Sequence, residues 1–175
     1  MNKKKIIIYS ILIFLLCFLT HFIYEWIPIG FFAIFFPVNE STWEHMKMLY
    51  TTILLFGFIR SVIRIYQHQD IHLFSIWVSA VCSIPIYLIL YLPIYYMVGY
   101  HMWIALTILM ITIILSQIIE QKLTRKENKM TFFITIIGII LSYVGFGYLT
   151  YHPILTDLFY DHQSELYGIN YHSID

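Results

Sequence analysis

Five long apolar runs constrain this chain more than any other feature, because each is about long enough to cross a lipid bilayer as a helix. They cover roughly residues 6–24, 46–66, 72–92, 102–119 and 130–150. A helix rises about 1.5 Å per residue and must cross about 30 Å of hydrocarbon, so a span needs about 20 apolar residues. The pattern predicts an all-α fold, a polytopic membrane helix bundle with five transmembrane helices, and a single membrane domain over residues 1–175.

The composition supports this class of protein. Hydrophobic residues make up 60% of the 175 residues and charged residues only 11%, whereas a soluble domain typically carries about 25% charged residues. The formal net charge is zero, so no overall basic field is available to attract nucleic acid. The lipid bilayer is therefore the expected surrounding of the chain, and the sequence leaves its oligomeric state open.

A sixth apolar piece, residues 27–38, is too short to cross the membrane. It has 12 residues and is bounded by Pro28 and Pro37. As a helix it would reach about 18 Å, well short of the bilayer thickness. We expect a short re-entrant or interfacial segment that returns to the side it left.

The distribution of positive charge predicts the orientation. With the N-terminus in the cytoplasm, nine of the ten Lys and Arg residues lie on the cytoplasmic side and only Lys47 lies outside, as the positive-inside rule requires. We therefore expect a multi-pass protein of the cell membrane with a cytoplasmic N-terminus. The C-terminal tail, residues 151–175, is then extracytoplasmic, and it is aromatic enough to fold back over the outer face.

The most polar stretch of the chain is Asn39-Glu40-Ser41-Thr42-Trp43-Glu44-His45, just before the second predicted span. Ser41 and Glu44 fit the capping-box pattern S-x-x-E, which would satisfy free N–H groups at a helix start. Asn39 is an alternative N-cap. Capping accounts for Ser41 and Glu44 but leaves Glu40 and His45 unexplained.

Histidines and acidic residues gather at the predicted outer ends of the helices. His21 and Glu25 are four residues apart, as are Glu40 and Glu44, so each pair would share a helix face. Such sets can bind Zn²⁺ or another divalent ion, although a metal-free hydrogen-bonded network fits the same pattern. We expect one polar cluster. Its candidate metal ligands are His21, Glu25, Glu40 and His45, with His152 and Asp161 as secondary members, and its candidate catalytic groups are Glu40, Glu44 and His45.

The stretch Pro37-Val38-Asn39-Glu40-Ser41-Thr42-Trp43-Glu44-His45-Met46-Lys47 resembles the signature of an uncharacterised family of small bacterial integral membrane proteins. The element His21-Phe22-x-Tyr24-Glu25-Trp26 and the tail segments Leu158-Phe159-Tyr160-Asp161 and Tyr167-Gly168-Ile169 are similar to the same family. This resemblance covers nearly the whole chain and implies no activity. A fainter likeness links the chain to alkaline ceramidases, which hold zinc with His and Asp at helix ends, but their motif spacings are absent here.

Two functions follow from these patterns. The first is a metal-dependent hydrolase or transferase that acts on a lipid or lipid-linked substrate at the extracytoplasmic face, since a bound divalent metal such as zinc lowers the pKa of a water. The second is a non-catalytic membrane binding or accessory protein, in which the same cluster is a structural or ligand-holding network. A transporter is disfavoured because the predicted spans carry no charge near mid-membrane.

Overall fold

The structure, a computed structural model, describes residues 3–125 and 127–169 and the backbone of residues 171–172. In this part of the chain the helices are α1 (Lys3–Trp26), α2 (Gly30–Ala33), α3 (Thr42–Tyr66), α4 (Leu73–Val98), α5 (Met102–Leu123) and α6 (Lys129–Tyr151). All of these except α2 are long and apolar enough to cross a membrane. The prediction of an all-α bundle with five membrane-spanning helices is confirmed.

The C-terminal tail after α6 has its own small structure. A 3₁₀ turn, Asp157–Phe159, leads into the strands β1 (Tyr160–Asp161), β2 (Leu166–Tyr167) and β3 (Tyr171–His172). The strands are antiparallel and lie in the order β1-β2-β3. Each strand has two residues, so the sheet is a local feature of the tail and the fold remains a helix bundle.

The short apolar segment between α1 and α3 does not cross the bundle. Residues 27–38 contain the one-turn helix α2, which has four residues. Such a helix is about 6 Å long, so the segment stays at the end of the bundle where α1 finishes. We call this end the motif face, and the opposite end, where α1 begins and α3 finishes, the basic face.

The helix boundaries differ from the sequence-based ones in two informative places. Helix α3 begins at Thr42 rather than at residue 46, so Glu44 and His45 lie in its first turn. Helix α4 continues past residue 92 to Val98 and contains both Pro85 and Pro93. A helix is retained across proline in an apolar setting because unbonded backbone groups are costly there and neighbouring helices support it.

Helix α3 lies at the centre of the bundle. It packs against α1 and α4, while α4 also packs against α5 and α6, and α1 against α5. Its buried side chains form the middle of the core together with Ile13 of α1 and Ile113 of α5; on α3 they include Met46, Leu49, Tyr50 and Ile53. The outward faces of α1 and α6 carry many exposed large apolar side chains, which suit contact with lipid.

Gly57 allows α3 and α4 to approach closely. A Cβ atom built on Gly57 would lie 2.3 Å from Cγ2 of Ile76 on α4, a separation that packed atoms do not adopt. Ile76 is buried and β-branched, so its χ1 angle has little freedom to move away. Small residues commonly mark such close helix contacts in membrane proteins.

We expect Gly57→Ala to destabilise the fold by about 1–3 kcal/mol, the usual cost of overpacking a core. Gly145→Ala on α6 is the matched control, because a Cβ there meets nothing within 4 Å and alanine favours a helix over glycine. The melting temperature of the purified protein in detergent should fall for Gly57→Ala and not for Gly145→Ala. Equal melting temperatures for the two variants would contradict the close approach.

Candidate metal centre

The turn that leads into α3 is fixed by capping hydrogen bonds. Ser41 is the N-cap residue, and its Oγ accepts the Glu44 N–H at 3.4 Å. The Asn39 Oδ1 accepts the Ser41 N–H at 3.0 Å. The predicted capping box is therefore half formed, since Asn39 and not the Glu44 carboxylate binds the N–H of Ser41.

The Glu44 carboxylate instead forms a buried ion pair with Lys47, one turn further along α3. The Lys47 Nζ lies 2.5 Å from Glu44 Oε2, and both side chains are at most 1% exposed. Lys47 also donates to the Ala33 carbonyl oxygen at 2.7 Å and to Thr150 Oγ1 at 2.8 Å. The Glu44 oxygens further accept the Val38 N–H at 3.0 Å and the Thr150 hydroxyl at 3.1 Å.

This pairing separates Glu44 from the groups with which the sequence analysis placed it. Its two oxygens bind Lys47, Val38 and Thr150, and Glu44 is not one of the residues whose ligand atoms converge in the cluster described next. Lys47 is the one Lys or Arg residue that the sequence analysis expects on the outer side. The carboxylate of Glu44, three residues earlier, balances its charge. Glu44 is thus a structural residue in this geometry and is not positioned as a metal ligand or general base.

Three side chains from separate elements meet at the motif face. His21 comes from the last turns of α1, Glu40 from the loop before α3, and His45 from the first turn of α3. The distances His21 Nε2–Glu40 Oε2, His45 Nε2–Glu40 Oε2 and His21 Nε2–His45 Nε2 are all 3.4 Å. The side chains are 22%, 37% and 29% exposed for His21, Glu40 and His45. Within the described residues, this is the group whose geometry suits a metal ion.

Hydrogen bonds set the orientation of the two imidazoles unequally. The His45 Nδ1 lies 2.9 Å from the Ser41 carbonyl oxygen; because a carbonyl only accepts, Nδ1 carries the hydrogen and donates it. The His21 Nδ1 is buried and has no hydrogen-bond partner in the described part of the chain. The His21 ring packs edge-on against Phe22, with centroids 4.9 Å apart.

Glu40 is held as a carboxylate by its surroundings. The hydrogen bond from His21 is the main cause that places its pKa below the ordinary value, and the charges of His45 and His21 act in the same direction. Partial burial opposes this shift, as does the neighbouring Asp161, without reversing it. Glu40 is therefore ionised near neutral pH and available to bind a cation.

The C-terminal tail folds back over the motif face. Phe159 stacks on Trp43 of α3, with ring centroids 4.8 Å apart and an interplanar angle of 28°. The Asn39 side chain donates to the Gly168 carbonyl oxygen at 3.0 Å. Gly168 has a φ of +51°, and a Cβ there would lie 2.3 Å from the Thr150 carbonyl oxygen, so only glycine permits this contact.

Asp161 supports the cluster from outside it. Its Oδ2 accepts the Glu40 N–H at 3.1 Å and the Ser164 hydroxyl at 2.6 Å, while its Oδ1 accepts the Gln163 N–H at 2.8 Å. Burial raises the pKa of Asp161, but these hydrogen bonds outweigh it and leave the pKa below the ordinary value. Asp161 positions the Glu40 backbone and does not join the three ligand atoms.

Two other candidate ligands lie away from the cluster. Glu25 is exposed and forms no hydrogen bond or ion pair with any residue that the structure describes, because α1 carries it one turn beyond His21. His152 is also exposed, and its ring contacts Tyr148, with centroids 5.1 Å apart. Of the residues expected to converge, His21, Glu40 and His45 do so.

A second polar group, which the sequence analysis did not single out, faces the same cavity. The His162 Nε2 lies 2.9 Å from Asp157 Oδ1 and 3.2 Å from the Tyr95 hydroxyl. Tyr95 ends a stack of rings on α4, with Tyr91 and Tyr87 beneath it at centroid distances of 5.6 and 5.2 Å. These tyrosines are four residues apart in the sequence, and this spacing indicates that their rings share one face of α4.

The cavity between these groups has a volume of about 210 Å³. It lies between the starts of α3 and α5, the end of α4 and the tail, with an aromatic wall on one side and carboxylates and imidazoles on the others. Its polar and aromatic lining includes Glu40, His45, Tyr91, Tyr95, Asp157 and His162. The space suits a small polar group and is smaller than a typical drug-sized pocket of about 300–1,000 Å³.

Comparisons with known proteins give one match. The model of a family described as a family of unknown function (DUF6512) matches residues 1–169. No curated protein and no solved structure matches the chain.

We expect Lys47→Met to destabilise the protein by about 3–5 kcal/mol, because it leaves the buried Glu44 carboxylate without its partner. The double variant Lys47→Met/Glu44→Gln should recover part of this loss, since it removes both charges. Glu25→Gln is the control and should behave like the wild type, because Glu25 is exposed. Chemical denaturation of the purified protein measures these differences. A Lys47→Met variant as stable as the wild type would contradict the role of the pair.

Proposed function

We propose that this chain, which belongs to the DUF6512 family of unknown function, is a membrane-embedded, metal-dependent hydrolase or transferase. His21, Glu40 and His45 are its metal ligands, and zinc is the metal that suits them best. The substrate is a lipid or lipid-linked molecule whose polar group enters the cavity at the motif face.

The observation that carries the proposal is the triangle of ligand atoms. Four tetrahedral ligands at about 2.0–2.1 Å from a zinc ion lie about 3.3–3.4 Å from one another. The three distances among His21 Nε2, Glu40 Oε2 and His45 Nε2 are each 3.4 Å. The triangle therefore matches one face of a zinc tetrahedron. Two histidines and a glutamate are also a donor set that catalytic zinc sites use, with the fourth position left for water or substrate.

The position of the hydrogen on the His45 ring supports a bound cation between His45 and Glu40. Its Nδ1 donates to Ser41, so the Nε2 of a neutral ring has a lone pair that faces the Glu40 carboxylate. Two acceptors at 3.4 Å repel each other unless a positive charge or a donated hydrogen lies beside them. A metal ion supplies that charge, and the hydrogen bond to Ser41 is the kind of support that metal-bound imidazoles usually have.

The groups across the cavity suit a proton-transfer role. A bound divalent metal polarises a carbonyl or phosphoryl oxygen and lowers the pKa of a water. The His162 Nε2 contacts Asp157 and Tyr95, and we assign to its other ring nitrogen, Nδ1, the transfer of a proton to a leaving group or from a nucleophile. The apolar part of the lining, which includes Met48, Leu106 and Leu109, favours a substrate with a hydrocarbon portion.

A non-catalytic function is the second candidate. An N–H on His21 Nε2, which lies 3.4 Å from both Glu40 Oε2 and His45 Nε2, would also remove this repulsion, and the cluster would then be a network that holds the tail in place. The hydrogen bond from the Glu40 backbone N–H to the Asp161 carboxylate favours this interpretation, because it joins the cluster directly to the tail. Metal content separates the two candidates.

Purified protein loaded with zinc and then desalted should retain about one zinc per chain, as measured by inductively coupled plasma mass spectrometry. His45→Ala should abolish this stoichiometric zinc, whereas His152→Ala, which changes an exposed histidine outside the cluster, should keep it. A wild-type protein that retains no metal, combined with a lower melting temperature for His45→Ala, would favour the structural network instead.

His162→Ala distinguishes an enzyme from a metal-binding protein. If His162 transfers a proton, the variant should keep its zinc but hydrolyse chromogenic acyl or phosphoryl esters in micelles about 10²–10⁴-fold more slowly. Equal rates for the wild type and His162→Ala, at equal zinc content, would contradict this role.

We also propose that the motif face and the tail are extracytoplasmic and that the basic face is cytoplasmic, since the positive charges then follow the positive-inside rule. Gln163→Cys in the tail and Lys122→Cys at the end of α5 are both exposed positions. In intact cells a membrane-impermeant thiol reagent should label Gln163→Cys and spare Lys122→Cys, with the wild type as background. The reverse pattern would invert the topology.

A further inference from the structure

A second cavity lies at the basic face, at the opposite end of the bundle from the candidate metal centre. Its volume is about 540 Å³, and its walls come from the start of α1, the end of α3, the start of α4 and the end of α5. None of the proposed chemistry uses this space. Its lining combines cationic, polar and apolar side chains in a definite order along the helices.

Both long walls have a cation at the mouth and apolar side chains further towards the middle of the bundle, with Arg60 of α3 as a second cation between the apolar residues. On α1 the lining residues are Lys5, then Tyr9, then Leu12. On α3, read from its end inward, the lining begins with Gln67 and Arg64 and continues with Ile63, Arg60, Ile59 and Phe56. The apolar members Leu12, Ile59 and Ile63 are 45%, 45% and 50% exposed. The cavity thus joins a polar, cationic mouth to a hydrocarbon surface.

The two cations at the mouth are not neutralised by carboxylates. Arg64 donates from Nε to the Asp70 carbonyl oxygen at 2.7 Å, and its NH2 lies 3.1 Å from His72 Nε2. Lys5 is exposed, and among the described residues neither Lys5 nor Arg64 takes part in a salt bridge. An anionic group in the mouth would meet uncompensated positive charge from both sides.

Arg60, by contrast, is paired with a carboxylate and lies deeper in the cavity, although its buried Nε has no hydrogen-bond partner among the described residues. Its NH2 donates to Glu120 Oε1 at 2.6 Å, and its guanidinium lies over the Tyr9 ring, 4.7 Å from the centroid. Glu120 also accepts the Gln117 side chain at 3.1 Å. This arrangement joins α1, α3 and α5 at one wall of the cavity.

We propose that this cavity binds the head group of an anionic phospholipid, with Lys5 and Arg64 on the phosphate and an acyl chain along Leu12, Ile59 and Ile63. Guanidinium and ammonium groups bind phosphate strongly, and basic pockets between transmembrane helices are known to hold anionic head groups. The hydrocarbon wall next to the charged mouth selects a lipid over a free anion. The site is independent of the proposed metal chemistry.

Native mass spectrometry of the full-length protein in detergent tests the proposal. The wild type should retain one phosphatidylglycerol at concentrations where phosphatidylcholine does not bind. Lys5→Gln and Arg64→Gln should each weaken this binding about fivefold. Lys122→Gln is the matched control, because it removes a cation from the same face but outside the cavity lining.

The Arg64 side chain binds the turn after α3, so Arg64→Gln could disturb that turn as well as remove a charge. Lys5 is exposed, so Lys5→Gln removes a charge without this effect and keeps the test decisive. Equal retention of phosphatidylglycerol by all variants, or equal binding of phosphatidylcholine, would overturn the proposal. Competition by millimolar inorganic phosphate would overturn the lipid assignment in favour of a free phosphate site.

Discussion

The buried ion pair between Glu44 and Lys47 is the interaction on which the motif face depends. Two charges removed from water are costly unless every donor and acceptor is satisfied. Here the Ala33 carbonyl, the Val38 N–H and the Thr150 hydroxyl complete the set. The pair therefore joins α2, the loop before α3, α3 itself and α6 at one point. This junction fixes the turn whose other side chains face α1.

The two glutamates of the segment 39–45 differ in function because their surroundings differ. Glu44 points into the bundle, where Lys47 takes up its charge. Glu40, four residues earlier, is 37% exposed and meets His21 and His45 at the rim of a cavity. The first holds the backbone in place, and the second has lone pairs left for a cation. A rigid support beneath an accessible group is what a binding or catalytic site requires.

The sequence predicts much of the fold and part of the site, for identifiable reasons. Helix number follows from hydrophobic length, and the meeting of His21, Glu40 and His45 follows because their helix ends share one depth. Glu25 could not be placed, because helical spacing gives a shared face but not how far α1 projects beyond α3. The hydrogen bond from Thr150 to Glu44 joins residues 106 positions apart, and the packing of the tail on Trp43 is equally non-local, so local sequence patterns predict neither contact.

The distribution of these contacts along the chain has a consequence for biogenesis. Ala33, Val38, Glu44 and Lys47 leave the ribosome together, so the ion pair and its two backbone partners can meet once the first two spans are inserted. Thr150 and the tail follow about a hundred residues later. The cavity at the basic face is lined by residues that all precede α6, so its walls can form before α6 is inserted. The motif face forms later than this cavity, because the hydrogen bonds of Glu44 and Lys47 are complete only when Thr150 of α6 is in place.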